Sequence, residues 1–520
     1  MKFFRFLILL IPGVCFGQIP PVEWSKCYGT LQNDHFRAVA STLDSGFIAV
    51  GDSDTSLSMD VLVVKTDANG NQEWLQVLGD VSSAPVYPNL ELAYGVISTY
   101  DSCYVIVGEQ KLRDSTLTIL PSNVWIAKLD ANGNTLWIKS YGGSSGEYAT
   151  CVIESKYGGY YIGGRTESVD GDINNPSFPG QFWLIKIDVN GNMEWNKKLG
   201  GTGFDDGLRS ILENQDGTLM LLGASTSSDF DISANYGESD YVLLKVDSTG
   251  TVLWNKHYGG SQTDYPNKLI ASGDGGFVLA GITVSNDFDV AGGTHLGTQD
   301  FFVVKVDSIG TIAWKKVYGG NWNEDLPHVD KTNDGGFVIA GSTSSTDIIS
   351  NKGHTDFWII KTNNTGNIQW HNNYGGSDGD DLFSLISTID GGFLMVGSTA
   401  SGTMSYTDGD VVGNNYYGGY GGWMIKLKNT IGVADYMLNE IYLSLFPNPV
   451  SDRINIQLSE FTSGLTFGLF NALGESVFSI PIDRSLTSLS MENIPAGFYS
   501  WCIYSNSDMQ LATGRIVVSH

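Results

Sequence analysis

The strongest constraint on the fold is a Trp-containing hairpin that repeats along most of the chain. At 301–320 it consists of an apolar, β-branched run, a turn at Asp307–Gly310, and a second strand that carries Trp314 and Tyr318. Asp suits the first turn position because its side chain can bond the backbone two residues on, and Gly suits the fourth because it tolerates a positive φ. The Trp recurs at intervals of 50–63 residues, at Trp24, Trp74, Trp137, Trp195, Trp254, Trp314 and Trp370. A period of this length predicts a repeat architecture.

Each repeat contains about four short strands. A second apolar strand, such as 276–281, also occurs seven times, and a weaker strand, such as 265–272, precedes it. The side chains on both faces of the second strand are apolar, as expected where sheets stack on one another. No stretch has helical periodicity. Four-stranded units at this period predict an all-β fold, a β-propeller over residues 18–432.

The two ends of the repeat array complement each other. The first Trp strand, 22–29, has no partner strand before it, and the last apolar strand, 423–427, is not followed by a Trp strand. We therefore predict a seven-bladed β-propeller in which the N-terminal strand completes the last blade beside residues 423–427. Such closure would remove two free sheet edges.

The N-terminus has the features of a secretory signal peptide. Two basic residues precede an apolar run over 6–16, which is too short to cross a bilayer, and Cys15 and Gly17 supply small residues for a cleavage site. We predict residues 1–17 as the signal peptide and Gln18 as the start of the mature chain. A lipoprotein signal with Cys15 as the lipidated residue is the alternative, and the preceding Pro-Gly-Val fits it poorly. No other segment approaches the ~18 apolar residues of a membrane-spanning helix.

Charge and cysteine content narrow the function classes. Asp and Glu number 56 against 29 Lys and Arg, which gives a net charge of −27. This balance argues against nucleic acid or an anionic membrane as a partner, since both need a basic face. It is compatible with cation binding or with solubility outside the cell. The four cysteines of the mature chain are far apart and lack metal-like spacing, so we predict buried free thiols.

A different pattern begins after residue 432. We predict a linker at 433–443 and a short all-β module at 444–520, with the alternation of an immunoglobulin-like sandwich. Three motifs occur there in order: Phe446-Pro447-Asn448-Pro449, then Asn471–Glu475 with Gly474, then Pro495–Tyr499 with Gly497 and Tyr499.

These motifs resemble the type A C-terminal sorting domain of the type IX secretion system of Bacteroidetes. The resemblance implies that the type IX machinery is a partner and carries the protein across the outer membrane. The domain is then usually removed as the cargo is anchored to surface lipopolysaccharide or released. One departure is that the family often ends in a basic strand, whereas only Arg515 holds such a position here. An ordinary accessory sandwich is the alternative.

The repeats carry a second resemblance. The stretch 246–256 and its copies are similar to the Trp repeats of quinoprotein-type propellers, and more so to propeller repeats of secreted Bacteroidetes proteins. In the quinoprotein family this motif docks neighbouring blades and does not bind the quinone. A count of seven blades, where quinoprotein dehydrogenases commonly have eight, and the lack of a recognisable quinone site disfavour an oxidoreductase.

Paired Asp residues recur after the apolar strand and are candidate metal ligands. Oxygen-rich loops can hold Ca²⁺, although none here has EF-hand spacing, and turns ordered by the Asp side chains explain the pattern equally well. We expect no cofactor other than, at most, Ca²⁺. The candidates are Asp170, Asp172, Asp229, Asp231, Asp287 and Asp289.

Other polar patterns are repeated and therefore point to structure. An acidic residue follows the Tyr-Gly-Gly sequence in most repeats, and one Lys per repeat, such as Lys305, predicts a repeated ion pair or packing of the aliphatic lysine stem. Paired carboxylates could serve a glycosidase, but an active site needs a unique set. Two Gly-x-Ser-x-Gly matches, at 142–146 and 375–379, fall in Tyr-Gly-Gly turns, where a nucleophile elbow would need a following helix.

Insertions that break the repeat symmetry are the best candidates for function. They lie at 80–92, 110–122 and 402–422. In the last of them, four tyrosines could stack on sugars or peptides, or pack the closing blade: Tyr406, Tyr416, Tyr417 and Tyr420. We first predict a secreted or surface-bound binding protein for an extracellular glycan or protein. The alternatives are a glycan-acting hydrolase with carboxylates at the propeller mouth and, third, a quinoprotein-like oxidoreductase.

Overall fold

The structure is a computed structural model. It describes residues 19–30, 32–54, 59–79, 89–113, 119–173, 181–203, 205–293, 297–348, 351–402, 408–412, 419–428, 443–446, 450–458, 465–471, 476–482, 484, 486–505 and 510–518. Within these ranges the chain forms strands and no helix, so the predicted all-β class is confirmed. The predicted signal peptide, the cores of the three insertions and most of the linker lie outside the described residues.

The strands of the repeat region follow at short intervals. Their bounds are β1 Val22–Tyr28, β2 Asn33–Ser41, β3 Phe47–Asp54, β4 Met59–Thr66, β5 Gln72–Leu78, β6 Leu90–Ser98, β7 Tyr104–Arg113, β8 Ile119–Leu129, β9 Thr135–Tyr141, β10 Glu147–Glu154, β11 Tyr160–Thr166, β12 Phe182–Ile187, β13 Met193–Leu199, β14 Asp205–Glu213, β15 Leu219–Ser225, β16 Asp240–Val246, β17 Val252–Tyr258, β18 Asp264–Ala271, β19 Phe277–Thr283, β20 Asp300–Val306, β21 Ile312–Tyr318, β22 Glu324–Lys331, β23 Phe337–Thr343, β24 Asp356–Thr362, β25 Ile368–Tyr374, β26 Asp380–Ser387, β27 Phe393–Thr399 and β28 Gly421–Leu427.

These strands form seven antiparallel units of four in the described part of the chain. Units 1 to 6 are β2–β5, β6–β9, β10–β13, β14–β17, β18–β21 and β22–β25, and unit 7 is β26–β28 with β1. A single parallel pair, Met59 with Leu90, joins units 1 and 2. In unit 7, β1 lies antiparallel to β28, with Trp24 opposite Lys426. The predicted pairing of the N-terminal strand with residues 423–427 is confirmed.

The first strand of each unit contacts the first strand of the next. Strand β2 contacts β6, and the series continues through β10, β14, β18, β22 and β26, which contacts β2. A repeated backbone hydrogen bond accompanies these contacts. The amides of Asp264, Glu324, Asp380 and Asp34 donate to the carbonyls of Ser239, Gln299, Thr355 and Tyr420, at 2.6, 2.9, 2.8 and 3.0 Å respectively. The last of these bonds joins unit 7 to unit 1, so the same contact recurs where the two ends of the repeat region meet.

In most hairpins the Trp side chain, and the Tyr side chain where present, docks on the turn of the next unit. The indole Nε1 of Trp24 donates to Ala68 O at 3.2 Å, and the Tyr28 hydroxyl donates to Gly70 O at 2.5 Å. At Gly70, whose φ is +69°, an added Cβ would lie 2.9 Å from the Trp24 ring. Similar contacts join Trp74 to Ala131 and Trp314 to Asn364, at 3.2 and 3.0 Å. The Trp is therefore a packing device between units, as the family resemblance implied.

The repeated lysine is also structural. All seven lysines form an ion pair with an acidic side chain: Lys65, Lys128, Lys186, Lys245, Lys305, Lys361 and Lys426. Lys65 lies 2.8 Å from Asp44 and 2.7 Å from Glu73, with its own side chain 1% exposed. The predicted repeated ion pair is confirmed.

Buried apolar clusters lie between consecutive units. One combines Phe182 and Leu184 of unit 3 with Leu221 and Val242 of unit 4. Another combines Met424 of unit 7 with residues of unit 1 that include Phe36 and Leu62. These strands are apolar on both faces because each sheet is covered on both sides.

The C-terminal strands are β29 Leu443–Phe446, β30 Arg453–Leu458, β31 Leu465–Phe470, β32 Ser476–Ile482, β33 Leu486–Ser490, β34 Gly497–Ser505 and β35 Gln510–Val518. They form two antiparallel sheets, in the orders β29-β30-β33 and β32-β31-β34-β35. A single buried cluster includes Ile454 and Ile456 from the first sheet and Phe467, Trp501 and Ile503 from the second. Two sheets around one core agree with the predicted sandwich, and the immunoglobulin-like topology stays a prediction.

Two simpler expectations concern cysteines and membrane spans. Cys27, Cys103, Cys151 and Cys502 form no disulfide among the described residues, as predicted, but each is half-buried and not buried as expected. No described segment forms a helix with the length and apolarity that would be needed to cross a membrane.

Candidate ligand site in the central cavity

Every first strand carries a β-bulge at the same place. The register shifts between Phe36 and Ala38 in unit 1 and between Ala93 and Gly95 in unit 2. Corresponding shifts occur in β10, β14, β18, β22 and β26. A bulge leaves a residue outside the ladder and changes the direction of its side chain. The displaced residues differ from unit to unit: Arg37, Tyr94, Thr150, Arg209, Asn267, Leu326 with Pro327, and Phe383.

The displaced residues surround one cavity of about 510 Å³, which we call the central cavity. Residues from all seven first strands line it, and each bulge contributes at least one of them. Leu326 adopts a φ of +50°, which is uncommon for a residue with a branched side chain. The repeats thus share a scaffold that presents side chains of six different kinds to one space, with Arg in units 1 and 4.

In the described part of the chain, the charged side chains that line the central cavity are all cationic: Arg37, Arg209 and Lys268. Arg37 donates from Nε to the buried Asp52, and its guanidinium carbon lies 5.6 Å from the ring centroid of Tyr94 and 5.5 Å from that of Phe383. These contacts fix the guanidinium at the cavity wall.

The other two cations differ in their surroundings. The guanidinium carbon of Arg209 lies 4.8 Å from the ring centroid of Tyr265, and its Nη2 donates to the Tyr265 hydroxyl. Lys268 is half-buried, and among the described residues it has no ion-pair partner.

His328 adds a neutral polar group to the same wall. Burial, followed by the nearby charge of Lys268, lowers the pKa of His328 to about 3. The ring is therefore uncharged at neutral pH. Its Nδ1 is buried and has no hydrogen-bond partner in the described part of the chain.

A second cavity of about 450 Å³ adjoins the first and shares Tyr94, Thr150 and Arg209 with it. Its remaining charges are paired. Arg165 lies 2.9 Å from Glu167, and Lys111 lies 3.0 Å from Glu109. This space extends the central cavity toward one end of the first strands.

The acidic residues after the Tyr-Gly-Gly turns hold neighbouring units together. Asp264 is fully buried and accepts hydrogen bonds from Gly260 N at 2.6 Å and Ser285 Oγ at 2.9 Å. Asp240 of the preceding unit lies beside it. A Cβ added to Gly259 would lie 2.1 Å from Asp240 Oδ1 and 2.7 Å from Asp264 Oδ2, which explains the first glycine of the turn.

Three such buried carboxyl pairs occur between units: Asp240 with Asp264, Asp300 with Glu324, and Asp356 with Asp380. Burial, as the largest cause, raises the pKa of Asp240 to about 7, of Asp264 to about 6, and of Glu324 and Asp380 to about 7. At pH 5 these four carboxyls are therefore largely protonated in the folded state, whereas free carboxyls are mostly ionised. In unit 2, Asn123 takes the corresponding place beside Glu147 and Gly142.

The predicted metal-ligand pairs clamp the Gly-Gly turns. Asp170 Oδ1 accepts from Ser144 N at 2.8 Å, and Asp172 Oδ2 accepts from Gly142 N at 3.0 Å. Asp229 and Asp231 make the same contacts with Thr202 N and Gly200 N, at 2.8 and 3.2 Å. Asp287 Oδ1 accepts from Ser261 N at 2.8 Å, and the amide of Asp289 donates to Gly259 O at 3.0 Å.

These contacts account for the Asp-x-Asp spacing without a metal. Among the described residues, no three metal-ligating side chains are grouped so that they could hold an ion. Binding of Ca²⁺ at these pairs stays a prediction from the sequence. The two Gly-x-Ser-x-Gly matches lie in bends that are followed by β10 and β26, so neither is a nucleophile elbow.

The other predicted site residues are only partly described. Tyr420 is 40% exposed, and its ring centroid lies 5.0 Å from that of His35, two residues before Arg37 on β2. Tyr499 donates from its hydroxyl to Pro495 O at 2.8 Å, and Gly497 begins β34. Outside the described residues lie Tyr406, Tyr416, Tyr417, Pro447, Asn448, Pro449 and Gly474.

The bulge residues were missed by sequence reasoning. The sequence does contain a signal for them, in the first strand of each unit, which has the weakest strand pattern of the repeat. One aligned position of this strand is Arg, Tyr, Thr, Arg, Asn, Pro and Phe in successive units. A position that varies within a strict repeat is a candidate for function, because it escapes the demands of packing that its neighbours share.

Comparison with known families identifies the C-terminal module. Residues 444–519 match the secretion system C-terminal sorting domain. This range contains all three motifs on which the resemblance rests. The sorting domain marks the chain as secreted cargo of the type IX machinery, with the outer-membrane surface or the extracellular space as its destination.

Relatives of the repeat region are more distant. The regulatory protein FlaEY of Caulobacter vibrioides is 26% identical over 241 residues, which cover 41% of this chain and 25% of FlaEY. The alignment thus spans a quarter of that relative's length.

Similar solved structures include the extracellular domain of BT4673 from B. thetaiotaomicron, with 12% identity, a TM-score of 0.38, and coverage of 95% of this chain and 58% of that one. Sqt1 from Chaetomium thermophilum has 9% identity and a TM-score of 0.39, with coverage of 76% and 97%. At these scores the likenesses add nothing to the fold described above.

Proposed function

We propose that the protein is an exported binding protein in which residues 18–432 form a seven-bladed β-propeller and the ligand occupies the central cavity. The observation that carries the proposal is the set of seven bulges, which present side chains of six different kinds, with Arg occurring twice, to one space. A purely structural ring would have no need for this variety at a single repeat position. The sorting domain supplies the route to the cell surface.

The propeller interpretation rests on the succession of contacts. First strands touch in sequence and β26 touches β2, while the pairing of β1 with β28 joins the two ends of the repeat region. Four-stranded units that contact in this cyclic order are typical of β-propellers. Small-molecule sites are concave, and the central cavity is a concave space between the seven first strands.

Binding can be tested with a library of sugars, sugar acids, amino acids and organic acids added to the purified mature protein. A ligand of the central cavity is expected to raise the melting temperature, because it binds the folded state only. Phe383→Ala should abolish this rise, because the Phe383 ring lines the cavity, whereas Phe230→Ala, at a 65% exposed site, should retain it. A library without any hit, or a hit that Phe383→Ala retains in full, would contradict the proposal.

A second candidate function is glycan hydrolysis. Asp325 and Asp381 belong to neighbouring first strands and precede the cavity-lining Leu326 and Phe383 by one and two residues. Burial raises the pKa of both carboxyls, and the charge of Asp325 adds to the rise at Asp381. A raised pKa suits a general acid. Release of reducing sugar from a glycan panel, lost in Asp381→Asn, would favour this function over binding alone.

A further inference from the structure

We propose that the central cavity binds a sugar acid, a small polyhydroxylated molecule that carries one carboxylate. This inference rests on the proposed function and names the ligand class. Among the described residues, three cationic side chains and no carboxylate line the cavity, in a chain whose net charge is −27. The cations of the central cavity are not needed for the solubility of so acidic a protein. They give an anion one favourable place to bind.

Lys268 is the cation that most requires a partner. Its side chain is half-buried on the cavity wall and has no ion pair with any described residue. Partial burial of an ammonium group without a counter-charge is unfavourable, and a bound carboxylate would offset that cost. Arg37 is already paired with Asp52 and stacked between two rings, so its guanidinium is fixed in advance of binding.

Neutral polar groups around the cations suit hydroxyls. The Asn267 Nδ2 donates to Pro327 O at 3.3 Å, which leaves the Oδ1 acceptor free for a ligand donor. His328 and Ser384 contribute a neutral imidazole and a hydroxyl to the same lining. Phe383 supplies an aromatic face of the kind that packs against the C–H groups of a sugar ring. The combination of cation, amide, imidazole and ring matches an acid that also carries hydroxyls.

The volume is consistent with this class. Ligand cavities commonly enclose about 300–1,000 Å³, and the central cavity has about 510 Å³. A monosaccharide acid fits within it, and a second sugar could extend into the adjoining cavity beside Thr150 and Arg209. The acid group would lie at Lys268, with the hydroxyls toward Asn267 and His328.

Isothermal titration of the mature protein tests the ligand class with galacturonate, digalacturonate and galactose as probes. Both acids are expected to bind, and galactose is expected to bind at least about tenfold more weakly. Higher salt should weaken the binding of the two acids and leave that of galactose unchanged. Lys268→Gln should weaken galacturonate binding by about tenfold or more, because a charge-assisted hydrogen bond is lost. Lys268→Arg should restore most of the affinity. The matched control is Lys197→Gln, an exposed lysine on β13.

The outcomes separate this inference from the proposed function. Galactose that binds as tightly as galacturonate, in a manner that Phe383→Ala abolishes, would overturn the sugar-acid inference and leave the binding function in place. Equal loss of affinity in Lys268→Gln and Lys197→Gln would also overturn it. Galacturonate binding that is weakened in Lys268→Gln and unchanged in Lys197→Gln would support the sugar-acid inference.

Discussion

Lowering the pH from 8 to 5 is expected to raise the free energy of unfolding of the mature protein. The cause is the three buried carboxyl pairs between units, whose members include Asp240, Glu324 and Asp380 with pKa values of about 7. In the unfolded chain these groups titrate near 4. The folded state therefore binds the protons more tightly, so this stabilisation is full below about pH 4 and is lost as the pH rises to about 7. On the order of 2 kcal/mol per pair is expected.

An opposing term limits the gain at the acid end. The hydrogen bond from Lys305 lowers the pKa of Asp274 to about 2. Stability from such a depressed group is present above pH 4 and is lost as the pH falls toward 2. We therefore expect maximal stability between about pH 4 and 5, and urea unfolding followed by Trp fluorescence at several pH values measures it.

A triple variant isolates the carboxyl pairs. Asp240→Asn, Asp300→Asn and Asp356→Asn together copy the arrangement in unit 2, where Asn123 lies beside Glu147. An amide can donate to the neighbouring carboxylate without a shared proton, so the variant should be more stable than the parent at pH 8 and less dependent on pH. Asp378→Asn, at an exposed bend outside the pairs, is the control. Unchanged pH dependence in the triple variant would show that the pairs are not its source.

Removal of strand β1 is expected to have the largest effect on stability. A chain that begins at residue 29 loses the antiparallel partner of β28 and the docking of Trp24 on the Ala68–Gly70 turn. Loss of a whole strand, with its apolar burial, should cost about 5 kcal/mol or more, against a typical total of about 5–15 kcal/mol. The truncated protein should melt at least about 10 °C lower, or fail to fold. Circular dichroism during a thermal scan measures the change.

Two further measurements keep this prediction testable if the truncated chain does not fold. A synthetic peptide of residues 19–30 should restore folding when added in excess, as strands can add to an exposed sheet edge, whereas a scrambled peptide should not. Trp24→Ala removes only the docking contact and should cost about 2–4 kcal/mol. Equal melting temperatures for the intact and truncated proteins would contradict the role of β1.

Much of the scaffold could be predicted from the sequence because each device repeats. Trp314, Lys305 and the Tyr-Gly-Gly turn occur in nearly every unit, and repetition itself indicates a packing role, which the contacts of Trp314 and Lys305 confirm. The pairing of Trp24 with residue 426 followed from two strands that each lacked a partner.

The central cavity could not be predicted in the same way. Alternation of apolar and polar residues does not reveal a bulge. Without knowledge of the bulge, Arg37 and Tyr94 would be assigned to a face of the sheet from this alternation alone. The carboxyl pairs join residues 24 positions apart on different sheets, such as Asp240 and Asp264, so their closeness depends on how the units stack. The inserted loops and Tyr420 stand out in the sequence by their length and aromatic content. The variable bulge position does not stand out, because it lies within the first strand of each unit.

A crystal structure of the mature protein grown with galacturonate tests the central claim most directly. The account predicts seven four-stranded blades in a closed ring, β1 paired with β28, and sugar density in the central cavity with its carboxylate at Lys268. An open array of sheets, or galacturonate bound only outside the space between the seven first strands, would contradict it.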